Sequence, residues 1–227
     1  SDHSPEPNFR EIYEVTQRWP HHAVIASLMV DTRERWHEFV QRSADAGADG
    51  IELNFGCPHG MCERGMGSAV GQQPAVTEQI VGWVMEAARI PVIVKLTPNI
   101  TDVTYAARAA RRGGANAISL INTINSITQV NLENLVPEPY VAGQSSHGGY
   151  CGPAVKPIAL NMVQNCAADP EVGLPISGIG GIATWRDAAE FIALGSTTVQ
   201  VCTAIMHHGF RLVEDMLDGL NEYLDAK

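Results

Sequence analysis

The chain is poor in positive charge, and it holds no long apolar run. Its 227 residues include 15 lysines and arginines against 25 aspartates and glutamates, a formal net charge of −10 at pH 7. Nucleic acids and anionic membrane surfaces select for basic proteins, so neither is expected as the main partner. No apolar stretch approaches the roughly 20 residues of a membrane-spanning helix, so no membrane insertion is expected. Residues 1–7 lack the basic and apolar regions of a secretory signal peptide, which predicts a cytoplasmic protein.

Cysteine is also scarce: there are five, an odd number, in a chain that is large enough to bury a core without disulfides. Reduced thiols fit this count better than a disulfide framework does, and they favour the cytoplasm. Cys57 and Cys62 lie five positions apart, which raises the question of a metal site, but no second cysteine pair with suitable spacing follows. We therefore predict no zinc or iron–sulfur site within this chain, and we interpret Cys166 as a core residue.

What the sequence does hold is a repeated alternation of short apolar runs and amphipathic segments. Strands are predicted at about 23–29, 51–54, 91–96, 117–121, 174–177 and 197–201. Helices are predicted at about 12–19, 31–46, 75–88, 101–113, 153–167, 185–194 and 210–224, with 122–152 irregular. The strands read as continuous apolar runs, the type found in parallel sheets that are covered on both faces. The alternation predicts a parallel sheet flanked by helices.

The positions of the polar residues decide between an open doubly wound sheet and a barrel. Residues with polar or reactive side chains follow nearly every strand, and glycine-rich segments follow the last two strands. This pattern is typical of a (β/α)8 TIM barrel, whose phosphate site follows strands seven and eight. About six of the eight strand–helix units are visible. We therefore predict a single, N-terminally truncated TIM-barrel domain over residues 1–227, with open sheet edges that weaken the isolated chain.

The segment richest in candidate groups is Glu52–Gly67, which begins in a strand and continues into a glycine-rich loop. Cys57 lies just past the strand end. Thiols have an ordinary pKa of about 8.5 and are mostly protonated at neutral pH, so this cysteine is a candidate general acid, although a buried apolar role is commoner for cysteines. Asn54 ends the strand although asparagine is a poor strand former, which indicates a ligand contact or a turn cap. His59 either orients a ligand or hydrogen-bonds the loop.

Further candidates follow the later strands. Lys95 interrupts an apolar strand, and its ammonium group either extends outward to solvent or, as we favour, points into a ligand site. Asn122 and Thr123 directly follow the next strand, where barrel enzymes keep their ligand contacts. The remaining candidates would let backbone N–H groups and a hydroxyl approach an anion closely: Gly152, Gly180, Gly181, Cys202 and Thr203.

These segments, in this order, resemble the flavin domain of the dihydropyrimidine dehydrogenases, and above all the pyrimidine-reducing subunit of the bacterial NAD-dependent enzymes. The resemblance runs from about Ala23 to the end of the chain. Class 1 dihydroorotate dehydrogenases share the Asn-x-x-Cys-Pro core but usually follow it with asparagine, so His59 favours the pyrimidine reductases. The segments that carry the resemblance are 52–61, 94–99, 121–123, 148–157, 176–181 and 200–203.

The resemblance implies an oxidoreductase that reduces the C5=C6 bond of uracil or thymine with FMN as cofactor. The residue matching Cys57 protonates C5, and FMN delivers hydride from N5 to C6. The residues matching Asn54, Asn122 and Thr123 bind the pyrimidine edges, and Lys95 matches a cation beside the flavin ring. The residues that match the FMN phosphate site are Gly152, Gly180, Gly181, Cys202 and Thr203.

The resemblance also implies what surrounds this site. The loop 57–72 resembles a lid that excludes water, and electrons are expected from an FAD- and NAD(H)-binding subunit. An oligomer is expected as well. The chain departs from the family because it lacks the first two barrel units and a C-terminal ferredoxin-like segment. Iron–sulfur clusters are therefore expected only in a full-length protein, outside this chain.

Two other interpretations stay open. The first is an oxidation like that of class 1 dihydroorotate dehydrogenases, in which the thiol of Cys57 acts as a base. The second is an inactive fragment that binds only a phosphorylated ligand or a partner.

Overall fold

The computed structural model describes residues 4–57, 65–141, 144–145 and 147–226. The helices are α1 (Glu6–Arg18), α2 (Arg33–Asp45), α3 (Ser68–Gly71), α4 (Pro74–Ala87), α5 (Thr104–Arg112), α6 (Lys156–Ala168), α7 (Trp185–Ala193), α8 (Thr203–His208) and α9 (Arg211–Asp225). The strands are β1 (Ile25–Leu28), β2 (Gly50–Asn54), β3 (Val92–Lys95), β4 (Ala117–Leu120), β5 (Ile124–Ser126), β6 (Gln129–Asn131), β7 (Val136–Glu138), β8 (Tyr140–Val141), β9 (Gln144–Ser145), β10 (Gly148–Tyr150), β11 (Ile176–Ile179) and β12 (Thr198–Gln200). One turn of 3-10 helix, Pro153–Val155, leads into α6.

A parallel sheet of six strands carries the fold, in the order β1-β2-β3-β4-β11-β12. Because every neighbour in this order is also the next major strand along the chain, the sheet curls in one direction as a barrel does. Among the described strands, β1 and β12 form the two edges and do not pair with each other. Helices α2, α4, α5, α6, α7 and α9 pack side by side in that succession. The result is a partial (β/α)8 barrel, and the predicted fold class is confirmed.

The apolar core lies between the outer face of the sheet and the helices. Alternate residues of a strand point to opposite faces, so Ile51 and Leu53 of β2 face the helices together, and both are fully buried. From the helices, Trp36 of α2 packs edge-on against Phe55, with 6.1 Å between the ring centroids. Burying an aromatic or branched side chain of this kind stabilises the fold by about 1.5–3 kcal/mol. No helix among those described has both the length and the apolarity to cross a bilayer.

The inner face of the sheet differs from the prediction of uniformly apolar strands. The strand register aligns one row of residues across the five strands from β2 to β12, and the row faces the inside of the half-barrel. All five of its members are polar or charged, and sequence alone singled out two of them and overlooked the other three. The strands alternate because only one face meets the helices, while the other lines a polar interior. The row consists of Asn54, Lys95, Ser119, Ser177 and Thr198.

The structure differs from the predicted elements in several places. Helix α1 begins at Glu6, six residues before its predicted start. Residues 122–152, predicted as irregular, contain the antiparallel pairs β5–β10, β6–β7 and β8–β9, whose two or three residues are too short to show a period. Strand β11 continues to Ile179 because Gly178 lets it pass close to Phe191 of α7, where an added Cβ would lie 2.5 Å from the ring. A further helix, α8, precedes the last predicted helix.

Candidate active site

The carboxyl ends of the inner strands, with the loops that follow them, enclose a cavity of about 250 Å³. Parallel strands bring all their carboxyl ends to one rim of the sheet, so residues far apart in sequence meet there. Of the residues that the sequence predicted for the site, all except Cys57 line this cavity: Asn54, Lys95, Asn122, Thr123, Gly152, Gly180, Gly181, Cys202 and Thr203. The fold therefore assembles the predicted groups in one place, and their individual roles stay predictions.

The two asparagines at the rim contact each other. The Nδ2 of Asn122 donates a hydrogen bond of 2.8 Å to the Oδ1 of Asn54. The same oxygen accepts the backbone N–H groups of Gly56 and Cys57, at 3.3 Å and 3.1 Å. Asn54 thus caps the turn after β2 and also lines the cavity, while its contact with a ligand stays a prediction. Because its oxygen already accepts three donors, its Nδ2 is the part of the amide that is suited to a ligand acceptor.

Asn99, which the sequence analysis did not single out, joins the loops around Thr123. Its Nδ2 donates to the carbonyl oxygen of Thr123 at 3.1 Å, and its Oδ1 accepts the backbone N–H of Asn125 at 2.8 Å. Its own carbonyl accepts the Nε2 of Gln72 at 2.9 Å. The loops after β2, β3 and β4 are therefore joined at one residue, through its side chain and its backbone carbonyl, which fixes the rim from which Asn122 and Thr123 reach the cavity.

Cys57 lies in the loop after β2 and is half-buried. Its carbonyl oxygen accepts the backbone N–H of Ser68 at 3.0 Å, so the two described ends of the loop are held together. Gly67 makes this closure feasible: its φ is 60°, and an added Cβ would lie 2.5 Å from the Cys57 carbonyl oxygen. The thiol-bearing residue thus lies three positions after Asn54, and its backbone N–H is bonded to the Asn54 side chain.

Residues 58–64 lie outside the described part of the chain. The lid hypothesis and the suggested roles of His59 and Cys62 fall on these residues and stay predictions. In the described part, no group of three or more His, Cys, Asp or Glu side chains is arranged to hold a metal ion. Cys166 is buried in the core, as predicted, and burial raises the pKa of its thiol to about 12.

The glycine-rich segments meet at one end of the cavity. Gly180 and Gly181 have φ values of 134° and 78°, in the region that favours glycine. A Cβ on Gly181 would lie 2.8 Å from the carbonyl oxygen of Gly152 and 3.0 Å from the backbone nitrogen of Lys156. The turn after β11 and the start of α6 therefore approach each other only because no side chain stands between them.

The third small-residue segment, Cys202–Thr203, closes the same end of the cavity. The hydroxyl of Thr203 donates to the Sγ of Cys151 at 3.4 Å. The methyl group of Thr203 would meet a Cβ on Gly152 at 3.8 Å, which is ordinary contact distance. Exposed backbone, a hydroxyl and close glycines form the kind of surface that accepts a phosphate group.

Ion pairs of Lys156 with Asp187 and Glu190 stabilise the region around the turn of Gly180 and Gly181. The Nζ of Lys156 donates to Asp187 at 2.6 Å and to Glu190 at 2.8 Å, and these hydrogen bonds raise the pKa of Lys156. Asp187 also accepts the backbone N–H groups of Ala183 and Thr184 at 3.0 Å and 2.8 Å. Burial is the largest single influence and would raise the pKa of Asp187. The hydrogen bonds from Lys156, Ala183 and Thr184 together outweigh it, so the pKa of Asp187 lies below its ordinary value.

We expect Asp187→Asn to destabilise the protein more at neutral pH than in acid. The pKa of Asp187 is lower in the folded than in the unfolded chain. Its contribution is therefore complete above the unfolded value of about 3.9 and is lost as pH falls through the folded value. Urea unfolding from pH 7 to pH 3 should show the difference in free energy of unfolding between wild type and variant shrinking. Glu190→Gln, at a half-exposed carboxylate, is the matched control, and a difference for Asp187→Asn that is independent of pH would contradict this prediction.

Beneath the cavity, six side chains on five strands form a connected polar cluster. The buried carboxylate of Glu52 accepts the Nζ of Lys95 at 3.2 Å, the Oγ of Ser119 at 2.9 Å and the Nε2 of Gln200 at 3.0 Å. Lys95 therefore points into the half-barrel, with its side chain 17% exposed. We call this group the polar cluster; its members are Glu52, Lys95, Ser119, Ser177, Thr198 and Gln200.

Sequence reasoning gave no role to Glu52, Gln200 or Asn99. A signal for Glu52 was present, because a charged residue inside an apolar strand is the same observation that drew attention to Lys95. Gln200 and Asn99 carried no such signal, since each is a single amide near a strand end and its partners are remote in sequence.

Comparison with known proteins identifies relatives over nearly the whole chain. A profile of the family described as dihydroorotate dehydrogenase matches residues 7–224. The chain is 46% identical to the NAD-dependent dihydropyrimidine dehydrogenase subunit PreA of Escherichia coli K12 over 225 residues, 99% of this chain and 54% of that protein. It is 43% identical to the chloroplastic dihydropyrimidine dehydrogenase (NADP(+)) of Arabidopsis thaliana over 229 residues, again 99% and 54% of the two chains.

More distant matches include one further relative in sequence and one solved structure. The catalytic subunit of dihydroorotate dehydrogenase B (NAD(+)) from Pyrococcus horikoshii is 38% identical over 201 residues, 88% of this chain and 63% of that protein. A solved structure of DHODH from Eimeria tenella matches 97% of this chain and 62% of its own, with a TM-score of 0.72 at 21% identity. The chain thus spans between 54% and 63% of the lengths of these relatives.

Proposed function

This chain belongs to the dihydroorotate dehydrogenase family, and on that premise we propose that it is the FMN- and substrate-binding part of an oxidoreductase acting on a pyrimidine ring. The supporting observation is that one cavity is lined both by the residues suited to a ring's amide edges and by those suited to a phosphate. The relatives at 46% and 43% identity are both dihydropyrimidine dehydrogenases. Their similarity favours reduction of the C5=C6 bond of uracil or thymine.

The residues present fit FMN at both ends of the cavity. At one end, the φ values of Gly180 and Gly181 and the close approach of Gly152 leave backbone where a phosphate needs it. At the other, Lys95 supplies a positive charge that is suited to the electron-rich ring of a reduced flavin. When bound, FMN supplies a hydride from its N5 to C6 of the pyrimidine.

Asn54, Asn122 and Thr123 orient the substrate ring in this proposal. A pyrimidine presents carbonyl acceptors on either side of an N–H donor, and asparagine amides offer both complementary groups. Binding would exchange the hydrogen bond between Asn122 and Asn54 for bonds to the ring. Because Asn99 donates a hydrogen bond to the carbonyl oxygen of Thr123, the loop that contacts the ring is held in place.

Cys57 is the proposed proton donor. It lies three residues beyond Asn54, and its backbone N–H is bonded to the Asn54 side chain, which ties the position of the acid to that of a proposed ring-binding amide. Its thiol gives a proton to C5, becomes a thiolate, and takes a proton back from solvent after product leaves. The hydride and this proton together account for the two hydrogens that the C5=C6 bond gains. Closure of the loop 57–72 as a lid would exclude water during the transfer.

The reaction needs electrons from another carrier. The E. coli relative is named a subunit of an NAD-dependent enzyme, so we propose an FAD- and NAD(H)-binding subunit as partner, within an oligomer. Because the chain spans 54% of that relative, iron–sulfur clusters are proposed only outside this chain. We also propose that residues 1–227 form one FMN-binding domain whose barrel is completed by further strand–helix units along the edges β1 and β12.

A second candidate function is oxidation of dihydroorotate with Cys57 as the base. The 38% identity to the P. horikoshii catalytic subunit supports it. A third interpretation, an inactive fragment that binds only a phosphorylated ligand or a partner, is supported by the open edges of the sheet. The three interpretations predict different FMN binding and different substrate turnover for the 227-residue chain.

We expect the 227-residue chain to bind FMN and to turn over uracil or thymine faster than dihydroorotate. Fluorescence titration with FMN measures the first property, and anaerobic turnover with an artificial electron donor or acceptor measures the second. Faster turnover of dihydroorotate would instead establish the second candidate. FMN binding without turnover of either substrate, or no FMN binding, would support the inactive fragment and count against the enzyme.

A further inference from the structure

The proposed reaction uses Lys95 but gives no role to the carboxylate beside it. Glu52 lies in the middle of β2 and is only 7% exposed, yet it carries a group that is costly to bury. Its oxygens accept three donors, from Lys95, Ser119 and Gln200, each on a different strand. The buried carboxylate thus has three hydrogen-bond donors, and one of them is the lysine that lines the candidate cofactor site. This arrangement indicates a function beyond packing.

Gln200 turns the ion pair into a closed triangle. Its Nε2 donates to Glu52 at 3.0 Å and to Ser177 at 3.1 Å, while its Oε1 accepts the Nζ of Lys95 at 3.4 Å. The two ends of its amide therefore have opposite neighbours, donors on one side and acceptors on the other. This arrangement leaves a single orientation of the Gln200 amide that satisfies every contact.

The triangle determines where the charge of Lys95 lies. A lysine ammonium has three N–H donors on a flexible stem, and fixing it costs the rotamer freedom of four side-chain bonds. Glu52 and Gln200 accept two of these donors, so one N–H remains for a ligand in the cavity that Lys95 lines. Glu52 lines a second cavity, deeper in the half-barrel, and Gln200 lines both cavities. The Glu52 carboxylate therefore acts on the first cavity through its contact with Lys95.

We propose that Glu52, together with Gln200, is a positioning residue that holds the Lys95 ammonium at the floor of the cavity before any ligand binds. This proposal rests on the proposed function, in which that cavity holds the flavin. A preorganised charge needs no reorganisation when the ligand arrives, and this lowers the cost of binding and of charge development on the ring.

The composition of the chain makes the proposal directly testable. The sequence has three lysines, Lys95, Lys156 and Lys227, so a side-chain NMR spectrum of lysine ammonium groups holds few signals. In the ligand-free wild type, the Lys95 ammonium is expected to be ordered and slow to exchange with water. In Glu52→Gln, an isosteric change, it should lose order and exchange faster. Lys156, held by its own carboxylates, reports in the same spectrum that the protein is folded.

Two further variants separate positioning from a general loss of structure. Ser119→Ala removes a donor to Glu52 without touching Lys95, so the Lys95 signal should stay ordered. Gln200→Met removes the other acceptor of Lys95 and should give an intermediate loss of order. A Lys95 signal that is mobile in the wild type, or that is unchanged in both Glu52→Gln and Gln200→Met, would overturn the proposal.

FMN titration of the same variants tests the link to the cofactor. Glu52→Gln should weaken FMN binding by about tenfold or more, the size expected when a charged hydrogen bond is lost, and Ser119→Ala should not. Unchanged FMN affinity with a mobile Lys95 would overturn the connection between Glu52 and the flavin. If neither the wild type nor any variant binds FMN, the proposed function fails. The NMR comparison still decides, by itself, whether Glu52 positions Lys95.

Discussion

Cys57→Ala is expected to reduce turnover of uracil or thymine by about 10²–10⁴-fold, the contribution of a positioned general acid. The spectrum and affinity of bound FMN should be unchanged, because the proposed FMN contacts, at Lys95 and at the turn of Gly180 and Gly181, do not include this cysteine. The backbone of Cys57, which bonds to Asn54 and Ser68, is retained in the variant. Turnover in an FMN-loaded preparation, with the absorption spectrum recorded on the same sample, measures both properties.

Two other cysteine variants make this result specific. Cys57→Ser replaces the thiol by a hydroxyl of similar size. Because a hydroxyl is a far weaker acid than a thiol, this variant should recover little of the lost rate. Cys166→Ala changes a cysteine in the core, where burial raises the thiol pKa to about 12, and it should cost stability while turnover per folded molecule persists. Turnover of Cys57→Ala within a few-fold of the wild type would remove the thiol from the mechanism.

Gly181→Ala is expected to weaken FMN binding by at least about tenfold, which is 1.4 kcal/mol of binding free energy. The added Cβ would lie 2.8 Å from the Gly152 carbonyl oxygen and 3.0 Å from the Lys156 nitrogen, both backbone atoms that cannot rotate away. A φ of 78° adds backbone strain for any residue with a Cβ. The turn after β11 must then move away from α6, which opens the end of the cavity that is suited to the phosphate.

Gly82→Ala is the matched control for this variant. Gly82 lies within α4, and an added Cβ there has no atom within 4 Å. Alanine in a helix interior should raise the free energy of unfolding by about 0.5–1 kcal/mol and leave FMN affinity unchanged. Titration with FMN and, separately, with riboflavin distinguishes the phosphate end from the ring end: Gly181→Ala should affect FMN more. Equal losses for both ligands would place the defect elsewhere.

The element pattern was readable because it is local. The strand β2 and the helix α2, with its N-cap at Thr32, lie within a residue or two of their predicted bounds, since apolar spacing and a capping hydroxyl act over a few positions. The three short antiparallel pairs between Asn122 and Gly152 were missed because two or three residues carry no period. Their pairing depends on which segments the chain brings together.

The inner face of the half-barrel shows the same limit for the site. Lys95 was recognised because a cation in the apolar run Val92–Lys95 is anomalous in any fold. Its partners were not recognised, since Gln200 lies 148 positions from Glu52 and the two meet only when β12 takes its place in the sheet. Nothing near Gln200 in the sequence distinguishes it from an exposed amide.

The sequence by itself determined the order of the six major strands and of the helices between them, and the glycine turn after β11, because each is encoded in neighbouring residues. It also specified which side chains follow the strands. Only the tertiary structure decided that Asn54 and Asn122 share a hydrogen bond, and that Glu52, Lys95 and Gln200 form one triangle. The physical reason is that strand register and sheet order are set by the packing of the whole half-barrel, so contacts between strands are not written in any local pattern.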